Sequence, residues 1–196
     1  DLAQAGAAEE LAEAYPDTDI LVNNAGAVPV GDIFEVDEAR WRAGWDLKVF
    51  GYINLTRAMY ARMRGRPPKA IINILGTGAD KPQWRYACGT PANIALVGLT
   101  KALGGRSIDD GIRIVGVSPG AVETDRWRSI HMRRAQEKFG DPSRWREALL
   151  DQPENRAATP EEVANVVVFL ASDRASWVCG EIVNVDGGRL YREQWF

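Results

Sequence analysis

Short apolar runs recur along the chain, separated by longer stretches in which apolar residues return at three- and four-residue steps. Asp19–Asn24, Ala70–Leu75, Ile112–Val117 and Glu181–Val185 are too brief for helices. Polar or small residues close them, as they close buried strands. Ala3–Ala14 is rich in Ala and Glu and predicts a helix by propensity. In Asp37–Arg64, Trp45, Val49, Tyr52, Thr56 and Tyr60 form one apolar stripe, which predicts a long helix stopped by Pro67-Pro68. Pro91–Ser107 predicts another, with Ala95, Gly98 and Ala102 leaving one face small. A last helix starts at Thr159-Pro160-Glu161-Glu162, with a threonine cap, proline in the first turn and acidic residues at the positive end, and it runs to about Ser172. Continuous apolar strands separated by helix-length crossovers pair in parallel and are covered on both faces. The expected fold is α/β, a doubly wound, Rossmann-like parallel sheet in one domain over residues 1–196. Within it, residues 125–157 set Trp127, Met132, Phe139 and Trp145 among Arg and Glu. They read as short helices lying over a surface, a lid rather than core.

Composition narrows the possibilities. With 45% hydrophobic and 26% charged residues, the chain is of ordinary globular character. Twenty-four basic against 27 acidic side chains leave a net charge of −3, which argues against a nucleic-acid partner. No apolar run reaches the roughly 20 residues that span a bilayer, so no membrane partner is expected. The two cysteines, Cys88 and Cys179, cannot make a disulfide framework, and a cytoplasmic setting is the expectation. Cys88 reads as a small hydrophobe. A single histidine, His131, excludes a His-based metal cluster, and no metal site is expected.

Four segments in order resemble the short-chain dehydrogenase/reductase family: Asn23-Asn24-Ala25-Gly26, Pro119-Gly120-Ala121-Val122-Glu123-Thr124, Thr159–Val163, and Asn184-Val185-Asp186-Gly187-Gly188. The resemblance implies oxidoreductase activity on a small carbonyl or alcohol, with NAD or NADP lying across the carboxyl ends of the strands. It places the cofactor against Asn23, Ala25 and Gly26 at the adenosine ribose and against Pro119, Gly120, Val122 and Thr124 at the nicotinamide end. Asp1 resembles the family's acidic residue beside adenine. The family's helix pair corresponds to Asp37–Arg64 and Pro91–Ser107, which implies a homodimer or homotetramer, or pairing with a related chain.

Two departures qualify this. The residues before Asn23 lack the glycine-rich turn that such a site uses to approach a pyrophosphate, so an upstream strand–helix unit is expected to be missing from this stretch. The second departure is chemical. Aligned through Ala95–Lys101, the family's lysine position holds Asn93, its tyrosine Gly89, its serine Gly76 and its helix asparagine Lys48. A glycine has no proton to give. Tyr86, about one helical turn before Gly89, and Lys48 are the candidates for a displaced acid–base pair, with Asn93 as a hydrogen-bonding aid. Thr77 is one residue out of step with Gly76, which turns its side chain to the other face. His131, Trp127 and Trp145 fall in the lid, where they either touch substrate or anchor the lid. Loss of all four catalytic groups keeps a second reading open, a non-catalytic family-like subunit that pairs with a competent partner.

Overall fold

The computed structural model describes residues 1–150 and 152–192. Four strands, β1 (Ile20–Asn23), β2 (Lys69–Ile74), β3 (Ile112–Pro119) and β4 (Ile182–Val185), form one sheet in the order β1-β2-β3-β4. All three pairings are parallel, with Leu21 opposite Ile71 and Ile71 opposite Ile114. The helices are α1 (Ala7–Ala14), α2 (Glu38–Trp45), α3 (Gly51–Met63), α4 (Gly89–Ser107), α5 (Asp125–Phe139) and α6 (Pro160–Ala171).

Alternation along β2 and β3 feeds two cores. Ile71, Ile112 and Ile114 pack with Leu55, Met59 and Met63 of α3 and with Ala8 and Ala12 of α1. Ile72, Val115 and Val117 point the other way and meet Leu170 of α6. β1 forms one edge of the described sheet, and Ile20 and Val22 are exposed there.

Four expectations are revised. The first helix begins at Ala7, because Gly6 takes a left-handed φ of 85° and residues 1–4 form a turn closed by Gln4 N–H to the Asp1 carbonyl. α4 starts two residues before Pro91, at Gly89. The predicted helix over Asp37–Arg64 is interrupted by one wide π turn, Asp46–Phe50, in which the Gly51 N–H reaches the Asp46 carbonyl. Lys48 sits in that turn, the kind of insertion found at functional sites. The lid is more than short surface helices. α5 has 15 residues, and Ala135, Trp145, Leu149 and Ala157 form a small buried cluster with Trp127 and Phe139. Trp127, Ala135 and Phe139 keep a four-residue beat among the charges, which puts them on one helix face. Asp151 of the lid lies outside the described residues. Among those described, no helix is long and apolar enough to cross a membrane.

Candidate active site and cofactor crevice

The carboxyl ends of β1, β2 and β3 open on one crevice, as parallel topology requires. Beneath it a buried polar chain ties the strands to the helices. Asn23 Nδ2 donates to Thr56 Oγ1 at 3.0 Å and to Asn73 Oδ1 at 2.8 Å, and Asn73 Nδ2 donates to Thr100 Oγ1 at 2.9 Å. The side chain of Asn23 is thereby turned inward, which leaves its backbone for any ligand above.

Three cavities run along the crevice. One of about 530 Å³ brings Asp1 and Ala25 together with Leu2, Leu11 and Leu47. A second, of about 280 Å³, gathers Gly26, Gly120, Val122 and Thr124 around Lys48, Tyr86 and Arg126. The third and largest, about 940 Å³, lies between the loop after β2 and the lid, lined by Pro119, Tyr86, Asn93, Trp127 and His131 among others. The residues expected at the two ends of a dinucleotide thus line separate cavities at the same edge of the sheet. Asn93 Oδ1, Thr90 Oγ1 and Ser118 Oγ are buried without a hydrogen-bond partner among the described residues. Buried polar atoms left open in a crevice ask for a polar ligand or water. The residues present fit a nicotinamide dinucleotide.

Tyr86 is fixed by its backbone. Its carbonyl accepts the Gly89 and Thr90 N–H groups at 3.1 and 3.0 Å, so it caps the start of α4. On the other side it bridges to Gly31, whose N–H reaches the Arg85 carbonyl at 3.0 Å. A helical side chain leans toward the helix N-terminus. One at position 89 would lean over Tyr86, and a Cβ built on Gly89 falls 2.0 Å from Tyr86 Cζ. The ring therefore fills the volume that a side chain at 89 would enter. A Cβ on Gly76 would sit 3.2 Å from Asn93 Nδ2, so the Asn93 amide stands over Gly76. The Asn93 amide acts on the Tyr86 phenol in favour of its ionised form. Burial is the larger influence and holds that phenol above its ordinary value.

Lys48 lines the same cavity as Tyr86, but its Nζ donates to the Leu75 carbonyl at 3.3 Å. Burial, and then the charge of Arg126, lower its pKa from 10.5 to about 8. Arg126 is the residue that sequence reasoning missed. Its guanidinium donates to the Val28 carbonyl at 2.8 Å and its charge pulls the Tyr86 phenol down against burial. Nothing in the sequence sets it apart from the other arginines of the lid. Of the secondary candidates, His131 is half-buried, stacked on Trp127 at 3.8 Å, with Nδ1 2.9 Å from the Trp127 carbonyl. Trp145 packs edge-on to Trp127 at 5.9 Å, so the lid tryptophans both anchor the lid and line the cavity. Thr77 opens a short turn at the cavity wall, and Cys88 is fully buried against Val28, Val36 and Trp45.

A family model described as enoyl-(acyl carrier protein) reductase matches residues 2–189. A solved structure titled short chain dehydrogenase/reductase family protein superposes with a TM-score of 0.84 at 34% identity, covering 98% of this chain and 75% of that one. The chain belongs to the short-chain dehydrogenase/reductase family. Among relatives in the family, galactitol 2-dehydrogenase (L-tagatose-forming) of Cereibacter sphaeroides is 37% identical over 186 residues, 93% of this chain and 69% of that protein. Acetoacetyl-CoA reductase of Shinella zoogloeoides is 30% identical over 173 residues, 88% and 68% of the two chains. The crystal structure of L-sorbose reductase from Gluconobacter frateurii, complexed with NADPH and L-sorbose, matches with a TM-score of 0.87 at 31% identity, covering 98% of this chain and 76% of that one.

Proposed function

We propose that this short-chain dehydrogenase/reductase is an NAD(P)-dependent oxidoreductase interconverting a carbonyl and an alcohol, with Tyr86 as its proton donor. The observation that carries the reading is the contact between Gly89 and Tyr86. The phenol enters the space beside the family's tyrosine position, while Asn93 presents an amide where the family has serine. The replacements compensate in kind, since the site keeps a phenol, a hydrogen-bond donor and nearby positive charge.

When bound, the nicotinamide cofactor supplies or takes up the hydride. Asp1, Ala25 and the backbone from Asn23 to Gly26 would hold its adenosine end, and Gly120, Val122 and Thr124 its nicotinamide end. The Tyr86 hydroxyl gives its proton to the carbonyl oxygen. Asn93 Nδ2 and the Arg126 guanidinium steady the phenolate left behind, and Lys48 adds positive charge to the same cavity. A phenol held high by burial stays protonated at neutral pH, which is the form that carbonyl reduction needs. Alcohol oxidation needs the phenolate and gains as pH rises. Ala95, Gly98 and Ala102 are exposed along α4, which supports pairing of two chains through this face.

Tyr86→Phe should lower turnover by roughly 10²–10⁴-fold, with Lys48→Met also impaired, measured as carbonyl-dependent loss of NAD(P)H absorbance. Undiminished turnover in both variants overturns the assignment. Fluorescence titration with NADH and NADPH checks cofactor binding separately. No binding of either, with co-purification of a related chain, supports the non-catalytic reading instead.

A further inference from the structure

The largest cavity has two walls of different origin, and both carry positive charge. Lys81 stands on the loop after β2, while Arg134 and Lys138 stand one helical turn apart on α5, across the opening. Among the described residues, no carboxylate comes within 4.0 Å of any of these three. Among the described residues the carboxylate lining the cavity is Glu147, to which Arg144 donates at 2.6 and 3.1 Å and on which the Lys138 charge also acts. Deeper in, the lining becomes aromatic: Tyr86, Trp127, Phe139 and Trp145. Trp127 and His131 form a stacked pair at 3.8 Å, a flat face beside the phenol.

Like charges gathered around one opening repel each other and focus a positive potential into the cleft. A neutral ligand would leave that repulsion in place. An anion held between Lys81 and the α5 pair would relieve it and draw the lid toward the β2–α4 loop, with charge-assisted hydrogen bonds on both sides. The aromatic interior asks for an apolar body between that anion and the reacting carbon, which must reach Tyr86.

We infer that the substrate is an anionic carbonyl or alcohol compound, with a carboxylate, sulfonate or phosphate group separated from the reacting carbonyl by an apolar, preferably aromatic, body. This rests on the proposed oxidoreductase reading for the carbonyl, whereas the anion preference rests on the cavity alone. The test therefore has a binding arm and a turnover arm.

Calorimetric titration of the chain without cofactor compares 4-acetylbenzoate with acetophenone, two ketones that differ by one carboxylate. The carboxylate should tighten binding roughly tenfold, and the preference should shrink with added salt. In the Arg134→Gln/Lys138→Gln double variant, the ratio of the two affinities should fall toward one. Both side chains are exposed on α5, so the variant is expected to fold, which circular dichroism checks. Equal affinities, no detectable 4-acetylbenzoate binding, or an undiminished ratio in the double variant overturns the inference. Turnover of the same ketones with NADPH tests the oxidoreductase reading. Binding preference without turnover sinks that reading and leaves the anion site standing, whereas turnover without preference does the reverse.

Discussion

An arginine packed under a helix on one face of the sheet and a lysine in the crevice at the strand ends show how differently one fold can treat a positive charge. Arg113 of β3 is 7% exposed, and its guanidinium donates to the carbonyls of Leu170, Ala171 and Ser172 at 2.6, 3.1 and 3.0 Å. The Leu170 and Ala171 carbonyls end α6 without a helical partner, the Ser172 carbonyl also accepts the Ala175 N–H at 3.1 Å, and the negative end of the helix dipole meets the charge. A rigid planar fork suits three converging acceptors. Lys48, in the crevice, has one carbonyl at 3.3 Å and a second cation, Arg126, beside it. Arg113 is a cation that the structure has satisfied. Lys48 is one that the structure has left short of partners, beside the phenol proposed to do the chemistry. Under-compensated charge costs stability and marks a place where a ligand or a reaction is expected to complete it.

The largest effect expected concerns the crevice itself. Gly89→Ala puts a Cβ 2.0 Å from Tyr86 Cζ, so the ring must leave its place. Turnover should fall roughly 100-fold or more, as misplacing a reacting group by an ångström does. A kinetic assay at saturating cofactor reads it, and unchanged kcat would separate Tyr86 from the reaction. On the satisfied side, Arg113→Leu takes the donor from the Leu170 and Ala171 carbonyls inside the protein and leaves Ser172 only its bond from Ala175. It should cost about 3 kcal/mol in urea unfolding with little change in kinetics. A loss under about 1 kcal/mol would mean that the helix end finds water instead, and the contrast with Lys48 would weaken.

The parts of the molecule legible in the sequence are those governed by periodicity. Ile71 and Ile72 point to opposite cores because strand side chains alternate, and the parallel order follows from the crossover lengths. The capping box at Thr159 could be read from four letters. What sequence reading missed depended on backbone geometry or long-range approach. The π turn at Lys48 adds a residue to a helical turn without altering the apolar stripe on either side. The left-handed Gly6 shortened the first helix, because propensity scores the whole segment and not the one glycine. In the site, the expectation that Gly76, Gly89, Asn93 and Lys48 stand at the family's catalytic positions comes from counting along the chain. The contact of Tyr86 with Gly89 was not, since it depends on the carbonyl of residue 86 capping α4. Arg126 became visible only when chain segments about 100 residues apart came together at the carbonyls of Gly26 and Val28.

Lys48 supplies the sharpest reversal of sign. Its pKa falls from 10.5 unfolded to about 8 folded, so between those values the unfolded chain binds more protons and stability rises with pH. Below about pH 8 the folded protein carries the full cost of a charged, desolvated ammonium. Lys48→Met removes that cost, so the variant should be more stable than the parent at pH 7, by at most about 3 kcal/mol at roughly 1.4 kcal/mol per pKa unit. The advantage should shrink as pH is raised from 8 toward 10.5. Urea unfolding at pH 7 and pH 9.5 measures it. An apolar replacement that destabilises at 113 and stabilises at 48 would confirm the contrast, and destabilisation at both would erase it.

The smallest effect lies at the opposite end of the helix that Arg113 holds. At the start of α6, Thr159 Oγ1 accepts the Glu162 N–H at 3.2 Å, and Glu162 Oε2 accepts the Thr159 N–H at 2.8 Å. Arg156 secures that glutamate with donors at 2.8 and 2.9 Å, and its charge, through hydrogen bonding, pulls the carboxyl down to about 2. This cap is in contact with water, so the Glu162 N–H freed by Thr159→Ala can be hydrated, and the loss should be about 1 kcal/mol. That is roughly a third of the effect expected at the buried end. The two substitutions act on opposite ends of one helix, one freeing an N–H and the other carbonyls. The difference between their unfolding free energies compares a solvated end of the helix with a buried, charge-capped one. Equal losses at Thr159 and Arg113 would show that the α6 carbonyls near Arg113 are as open to solvent as the N-terminus, and the account of Arg113 as a satisfied buried cation would fail.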